Sequence, residues 1–353
     1  MKHTVTTFPG REIKIEDKNY LYFGGTAYLG LQTDRNFQDI YIQNILKYGT
    51  NYGASRKSNI QIAIFDKAEN YLANLVGSES CTTMSSGYLA GQFVTQAFAN
   101  KTYKLFYAPN THSALYQTKQ KSKKASSYVT FSSLNFAVRH HLEKNKKAIP
   151  VIFLDAIDFS GVNYPNFEGL AQLPLSQLIL VVDDSHGIGI VGENGSGVFK
   201  KIASLNPKEL IVSCSLGKGF GVQSGAIFGT SERITNLTET EFYGGASPAS
   251  PANIASIIDG QEVFTIKRKQ LQENIELFLK HVTVTRKFHF MNGHPAFSFQ
   301  DEELTAYLEQ HHIIVTSFRY PNKDSKLMSR IVISAAHTKD DILELSNVLN
   351  KYL

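Results

Sequence analysis

Leu178-Ile179-Leu180-Val181-Val182-Asp183-Asp184-Ser185-His186 is an apolar run of strand length that closes in two carboxylates and an imidazole. A second run, Leu210 to Cys214, closes in Ser215-Leu216-Gly217-Lys218-Gly219-Phe220-Gly221. Continuous runs of Val, Ile and Leu bounded by loops read as strands covered on both faces, the mark of a parallel sheet with crossover helices. Lys104–Ala108, Val151–Asp155 and Ala226–Gly229 have the same texture. The expected fold class is therefore α/β, with a large domain built on a mostly parallel sheet flanked by helices. Ligands of such sheets bind outside the carboxyl ends of the strands, where Asp183, Ser215 and Lys218 fall.

Further along, Pro251 to Lys280 reads as helix with few breakers. Alternating segments come next at Val282–Phe290, Ala296–Phe299, Ile313–Ser317 and Arg330–Ser334, interleaved with helical stretches near Asp301–His312 and Thr338–Tyr352. This predicts a small α+β domain at the C-terminus. The expected organisation is an N-terminal segment over 1–45, a large domain over 46–260 and a small one over 261–353.

Composition bounds the function. With 42% hydrophobic and 19% charged residues in 353, the chain has the balance of an ordinary globular protein. Its net charge of +5 is scattered except at Lys119-Gln120-Lys121-Ser122-Lys123-Lys124, a run short enough to be a solvated surface; no nucleic-acid partner is expected. Cys81 and Cys214, the two cysteines, lie in or beside apolar stretches and are expected unbridged, as in a reducing compartment. No signal-peptide core opens the chain and no apolar stretch reaches the roughly 18 residues of a bilayer span, so a cytoplasmic protein without membrane insertion is expected.

The chemistry centres on Lys218. A lysine loses its proton readily when desolvated, forms an imine with an aldehyde, and then serves as a base. Asp183, at the end of its strand, is suited to keep a pyridine nitrogen protonated, and His186 to donate to a ring's phenolic oxygen. Ser86 and Gly87, in Ser85-Ser86-Gly87-Tyr88, precede an apolar helical pattern whose amide donors and dipole favour a phosphate. Lysine, carboxylate, imidazole and phosphate cradle together suit pyridoxal 5'-phosphate. Two other readings fail on context. Gly187-Ile188-Gly189-Ile190-Val191-Gly192 matches G-x-G-x-x-G, but Glu193 to Gly197 would open a poor helix and the motif lies far from the first strand. A Walker loop is excluded because Val212 stands five before Gly217 and Gly219 comes directly after Lys218.

In order along the chain, Tyr28-Leu29-Gly30-Leu31, Tyr52-Gly53-Ala54-Ser55-Arg56, Ser86-Gly87-Tyr88, Asp183 to Gly197, Ser215 to Gly221 and Arg330 to Thr338 resemble the α-oxoamine synthases. These are pyridoxal-phosphate enzymes of fold type I, the aspartate-aminotransferase fold, among them the oxononanoate synthases, glycine C-acetyltransferases and serine palmitoyltransferases. The resemblance implies that Lys218 carries the cofactor, Asp183 pairs with its ring nitrogen, His186 meets its phenolic oxygen and His112 stacks on its ring. It further implies phosphate contacts from Ser86, Gly87 and Ser215, a cofactor contact from Tyr88, and a phosphate contact from Ser247 across a homodimer. Arg330 takes the substrate carboxylate and Thr26 stands at a substrate position. The implied reaction joins a small amino acid to an acyl thioester and yields an α-amino ketone, usually with loss of CO2; oxononanoate synthesis, a step of biotin biosynthesis, is the nearest type. An aminotransferase on the same scaffold is the alternative. A non-catalytic partner subunit is disfavoured because such subunits lose the lysine. The chain departs from the family at Thr26 and Gly91, each in place of asparagine, and at Gly187, in place of serine. It also lacks the family's S-M-D-G over Asp155–Val162 and its proline-rich loop over Pro321–Met328.

Overall fold

The computed structural model describes residues 3–117, 127–144, 147–159, 163–283, 285–320, 323–325 and 327–352. The basic run Lys119 to Lys124 lies outside the described residues. Two compact units emerge, one of Met1–Asp39, Phe159–Gly161 and Gly260–Leu353, the other of Ile40–Asp158 and Val162–Asp259.

In the first unit, β1 (Glu12–Ile15) and β2 (Lys18–Phe23) form a hairpin. The second unit holds β3 (Ser80–Met84), β4 (Tyr103–Tyr107), β5 (Ile149–Asp155), β6 (Ile179–Asp183), β7 (Glu209–Ser215) and β8 (Gly225–Gly229) in one sheet of order β3-β8-β7-β6-β5-β4. The first unit adds β9 (His289–Phe290), β10 (Ala296–Phe299), β11 (Ile313–Arg319) and β12 (Leu327–Val332), giving a sheet of order β1-β2-β11-β12-β10-β9.

The sheet of the second unit is parallel from β4 to β7, as the apolar runs within those strands predict. Val151, Phe153, Ile179, Val181 and Ile211 face a helix, Gly87–Ala97, through Ala90, Phe93 and Val94. The alternate positions Ile152, Leu154, Leu180, Val182 and Val212 are buried as well. Burial of each such side chain contributes about 1.5–3 kcal/mol, which is why both faces must be apolar. Strand β8 runs antiparallel to β7 and β3. The link from Ser215 to Gly225 is too short for a crossover helix, so the chain must turn back.

β3 escapes a hydrophobicity reading because Thr82 and Thr83 are polar yet buried. Thr82 Oγ1 donates to Tyr243 Oη at 3.2 Å, and Thr83 presents both its amide and hydroxyl to Glu69 Oε1 at 2.8 Å. The helical stretch from Pro251 is interrupted at Gly260, giving helices Pro251–Asp259 and Gln261–His281. The strand expected over Val282–Phe290 shrinks to β9, with a 3-10 turn at Thr285–Lys287. Arg330–Ser334 shifts to β12, whose last residue is Val332.

His337 anchors the smaller unit. Its Nδ1 accepts the Ser334 amide at 2.9 Å, its Nε2 donates to Tyr22 O at 3.1 Å, and its ring stacks on Phe23 at 4.0 Å. Burial holds its pKa down at about 4. The folded state therefore keeps His337 neutral where the unfolded chain takes up a proton, at pH below the ordinary histidine value of about 6.5. Stability should fall as pH drops from about 6.5 to about 4, by up to about 3 kcal/mol from this group. The denaturation midpoint measured across that range should show the slope, and His337→Asn should flatten it. An unchanged slope in the variant would remove His337 as its source.

Candidate active site

Several ionisable groups of the larger unit lie at the carboxyl ends of β5, β6 and β7. Asp155 and Asp183 end adjacent strands in register, and Ser215 ends the next. Lys218 lies just beyond, in a four-residue helix, Leu216–Gly219, and its Nζ is 2.9 Å from His186 Nε2. Asp183 Oδ1 accepts the Ser185 amide at 2.9 Å, and Ser185 Oγ accepts the Ser215 amide at 2.8 Å. The ends of β6 and β7 are thus stitched together behind the lysine.

His112 belongs to the same cluster. It caps a 3-10 turn, Ser113–Leu115, its Nδ1 accepting the Ala114 amide at 3.2 Å, so the neutral ring carries its proton on Nε2. Burial lowers its pKa, Asp183 opposes that shift and Lys218 adds to it. The imidazole is thereby held neutral, the form suited to lie flat against a cationic ring.

Beside Ser215 stands the start of helix Gly87–Ala97. Ser86 is its N-cap, its Oγ accepting the Leu89 amide at 3.2 Å. A Cβ on Gly87 would lie 2.5 Å from Ser215 Cβ, and one on Gly225 only 2.3 Å from Ser86 O. Only glycine lets these three segments meet, which brings first-turn amides and the Ser215 hydroxyl to one spot. This cradle fits a phosphate, and the lysine, carboxylate and neutral imidazole beside it fit a pyridine aldehyde. Tyr88, the next residue, is exposed, as is Ser247 in the segment before helix Pro251–Asp259.

The glycines of Gly187 to Gly197 do different work from a nucleotide loop. A Cβ on Gly219 would sit 2.1 Å from Ile188 O, and one on Gly189 (φ +82°) 2.8 Å from Gly219 Cα. Close approach at Gly219 serves contact between the His186 and Lys218 loops. Gly219→Ala should therefore cost about 2 kcal/mol and disturb the Lys218–His186 pair. A thermal midpoint equal to wild type would count against this packing. Gly187 has an equally local reason: a Cβ there would lie 2.1 Å from Asp184 Oδ1. Asp184 is buried, accepts the Val198 amide at 2.9 Å, and has its carboxyl pushed well up by burial. The family's serine at 187 has no room beside this carboxyl.

The smaller unit holds the other two expected site residues. Arg330 lies half-buried on β12 with its guanidinium 3.5 Å from the Phe159 ring centroid. Burial lowers its pKa, and the fully buried Tyr28 is the group that opposes this. No carboxylate among the described residues contributes to that balance, so its charge suits an incoming anion. Thr26 is half-buried, adjacent to Ala27, whose carbonyl accepts the Ser334 hydroxyl at 3.0 Å. Motif reading does not single out Asp155; the signal available was a second apolar strand ending in aspartate.

Known proteins resemble this chain over most of its length. Residues 23–349 match the profile of aminotransferase class I and II. The 8-amino-7-oxononanoate synthase of Hahella chejuensis is 25% identical, covering 99% of this chain and 91% of that protein. That of Vibrio campbellii is 27% identical, covering 97% and 90%. Among solved structures, Sphingomonas wittichii serine palmitoyltransferase superposes with a TM-score of 0.79 at 16% identity, covering 97% of this chain and 89% of that one. The 8-amino-7-oxononanoate synthase of Francisella tularensis superposes at 0.70 with 19% identity, covering 94% and 97%.

Proposed function

The chain belongs to the aminotransferase class I and II family, in its α-oxoamine synthase branch, and from that premise we propose how its residues act. It is a pyridoxal-phosphate acyltransferase of the 8-amino-7-oxononanoate synthase type, condensing a small amino acid with an acyl thioester. The observation that carries the reading is the grouping of Lys218, His186, Asp183 and His112 beside the Ser86–Gly87 helix start. Similar solved structures include serine palmitoyltransferases determined with pyridoxal phosphate.

When bound, pyridoxal phosphate supplies the electron sink for negative charge at the amino acid's α-carbon. Ser86, Gly87 and Ser215 would hold its phosphate, Asp183 its ring nitrogen, His186 its phenolic oxygen and His112 one face of its ring, with Tyr88 also at the cofactor. Lys218 takes the α-proton, its amine directed by His186. Arg330 is assigned to the amino acid's carboxylate, where a guanidinium fork makes two charge-assisted bonds. Thr26 would contact substrate, and Ser247 would reach a phosphate in the second subunit of a homodimer. The cytoplasm is the proposed location; no helix among the described residues is long and apolar enough to cross a membrane.

Product analysis with L-alanine and pimeloyl thioester tests the reaction. Stoichiometric CO2 and 8-amino-7-oxononanoate are expected, whereas a keto acid formed from the amino acid alone would make the chain an aminotransferase. Arg330→Ala should raise the amino-acid KM by at least about tenfold, the loss of a hydrogen bond to a charged group, while the KM for the thioester changes little. Equal rises in both would move Arg330 away from the carboxylate.

A further inference from the structure

Asp155 has no role in the proposed mechanism, yet it stands at the centre of the site. It ends β5 in register with Asp183 on β6, and adjacent strands are about 4.8 Å apart. Its Oδ1 accepts the His112 backbone amide at 2.9 Å. That N–H is the first donor of the turn that aims the imidazole. The remainder of the turn is tied to its surroundings elsewhere. Gln92 Nε2 donates to Ala114 O at 2.8 Å and to Tyr116 O at 2.9 Å. Thr95 Oγ1 donates to Leu115 O at 3.2 Å, and Thr111 Oγ1 to Phe153 O at 3.0 Å. Gly91, where the family has asparagine, lets the turn approach the helix: a Cβ there would be 2.9 Å from Ala114 O.

We infer that Asp155 is a positioning residue, which fixes His112 for the cofactor ring by accepting its amide hydrogen and does so as an uncharged carboxyl group. The inference rests on the cofactor reading. Its electrostatic half has a geometric cause: two carboxylates closing neighbouring strands cannot both stay ionised beside one another. Burial and the charge of Asp183 raise the Asp155 carboxyl well above the usual range, with Asp158 adding to the effect and the His112 amide and Lys218 opposing it. Of the pair, Asp155 is the one that keeps a proton. Asp183 is then the member of the pair left to meet the ring nitrogen.

The test uses the full-length protein and pyridoxal phosphate itself, with three readouts: the cofactor Kd, the circular dichroism induced in its visible band, and the pH titration of that band. Asp155→Asn keeps an acceptor and no charge. Its Kd should lie within about threefold of wild type and the band should titrate within about 0.3 pH units, since only a change of charge nearby would move it further. Asp155→Ala removes the acceptor; Kd should rise about tenfold, the value of one hydrogen bond, and the induced dichroism should fall. In a His112→Ala background the same alanine substitution should add nothing, since its effect passes through that ring. A shift of about one pH unit or more in the asparagine variant overturns the uncharged role, even if the alanine variant does not fold. A folded alanine variant with wild-type Kd and dichroism, or with its full effect in the His112→Ala background, overturns the positioning role. Wild-type protein that binds no pyridoxal phosphate would instead refute the cofactor reading.

Discussion

Lys218→Ala is expected to eliminate the visible absorption band of bound pyridoxal phosphate and to lower turnover by about 10,000-fold, the upper range for a positioned acid–base group. The lysine is half-buried on a four-residue helix whose packing is made by Leu216 and the glycines around it, so its side chain contributes little to stability. The variant should therefore melt close to wild type. His186, which loses its 2.9 Å partner, stays in a loop fixed by Gly189 against Gly219. A band that persists after the substitution, or activity within about tenfold of wild type, would place the covalent step on another lysine.

Asp183→Asn should reduce kcat/KM by about 100- to 1,000-fold, the cost of removing one preorganised electrostatic partner from a buried site. Asparagine keeps the acceptor that Asp183 Oδ1 offers to the Ser185 amide, so the stitching of Ser185 to Ser215 is retained. What disappears is the charge. The same substitution also relieves Asp155, whose carboxyl Asp183 helps to raise. The pH titration of the cofactor band should shift with it. Steady-state kinetics and the titration together separate this from misfolding: a loss of activity accompanied by wild-type spectra and pH response would contradict the assignment to the ring nitrogen.

Lys218, Asp183 and His186 were legible as candidates because each ends an apolar strand or sits in a glycine loop, local features that the chain order preserves. Their mutual distances were not legible. The pairing of His186 with Lys218 spans 32 residues and exists because two loops meet through Gly189 and Gly219. Asp155 had no motif of its own; only the register of β5 on β6 gives it a second carboxylate as neighbour.

The order of amino acids was enough to specify a mostly parallel sheet and the places where its strands end, since strands buried on both faces are written as continuous Val, Ile and Leu. It was enough to single out Lys218 as the candidate for the lysine chemistry, because residue type and loop context suffice for a candidate. Packing in three dimensions settled the rest. It reversed β8, since the short link from Ser215 to Gly225 cannot make a crossover. It recruited the N-terminal hairpin beside β11, through the parallel pairing of Leu21 with Ile313 across nearly the whole chain. It buried the polar β3 by giving Thr82 and Thr83 distant partners. Such pairings depend on backbone hydrogen bonds and side chains far apart in sequence, whose complementarity no local pattern records.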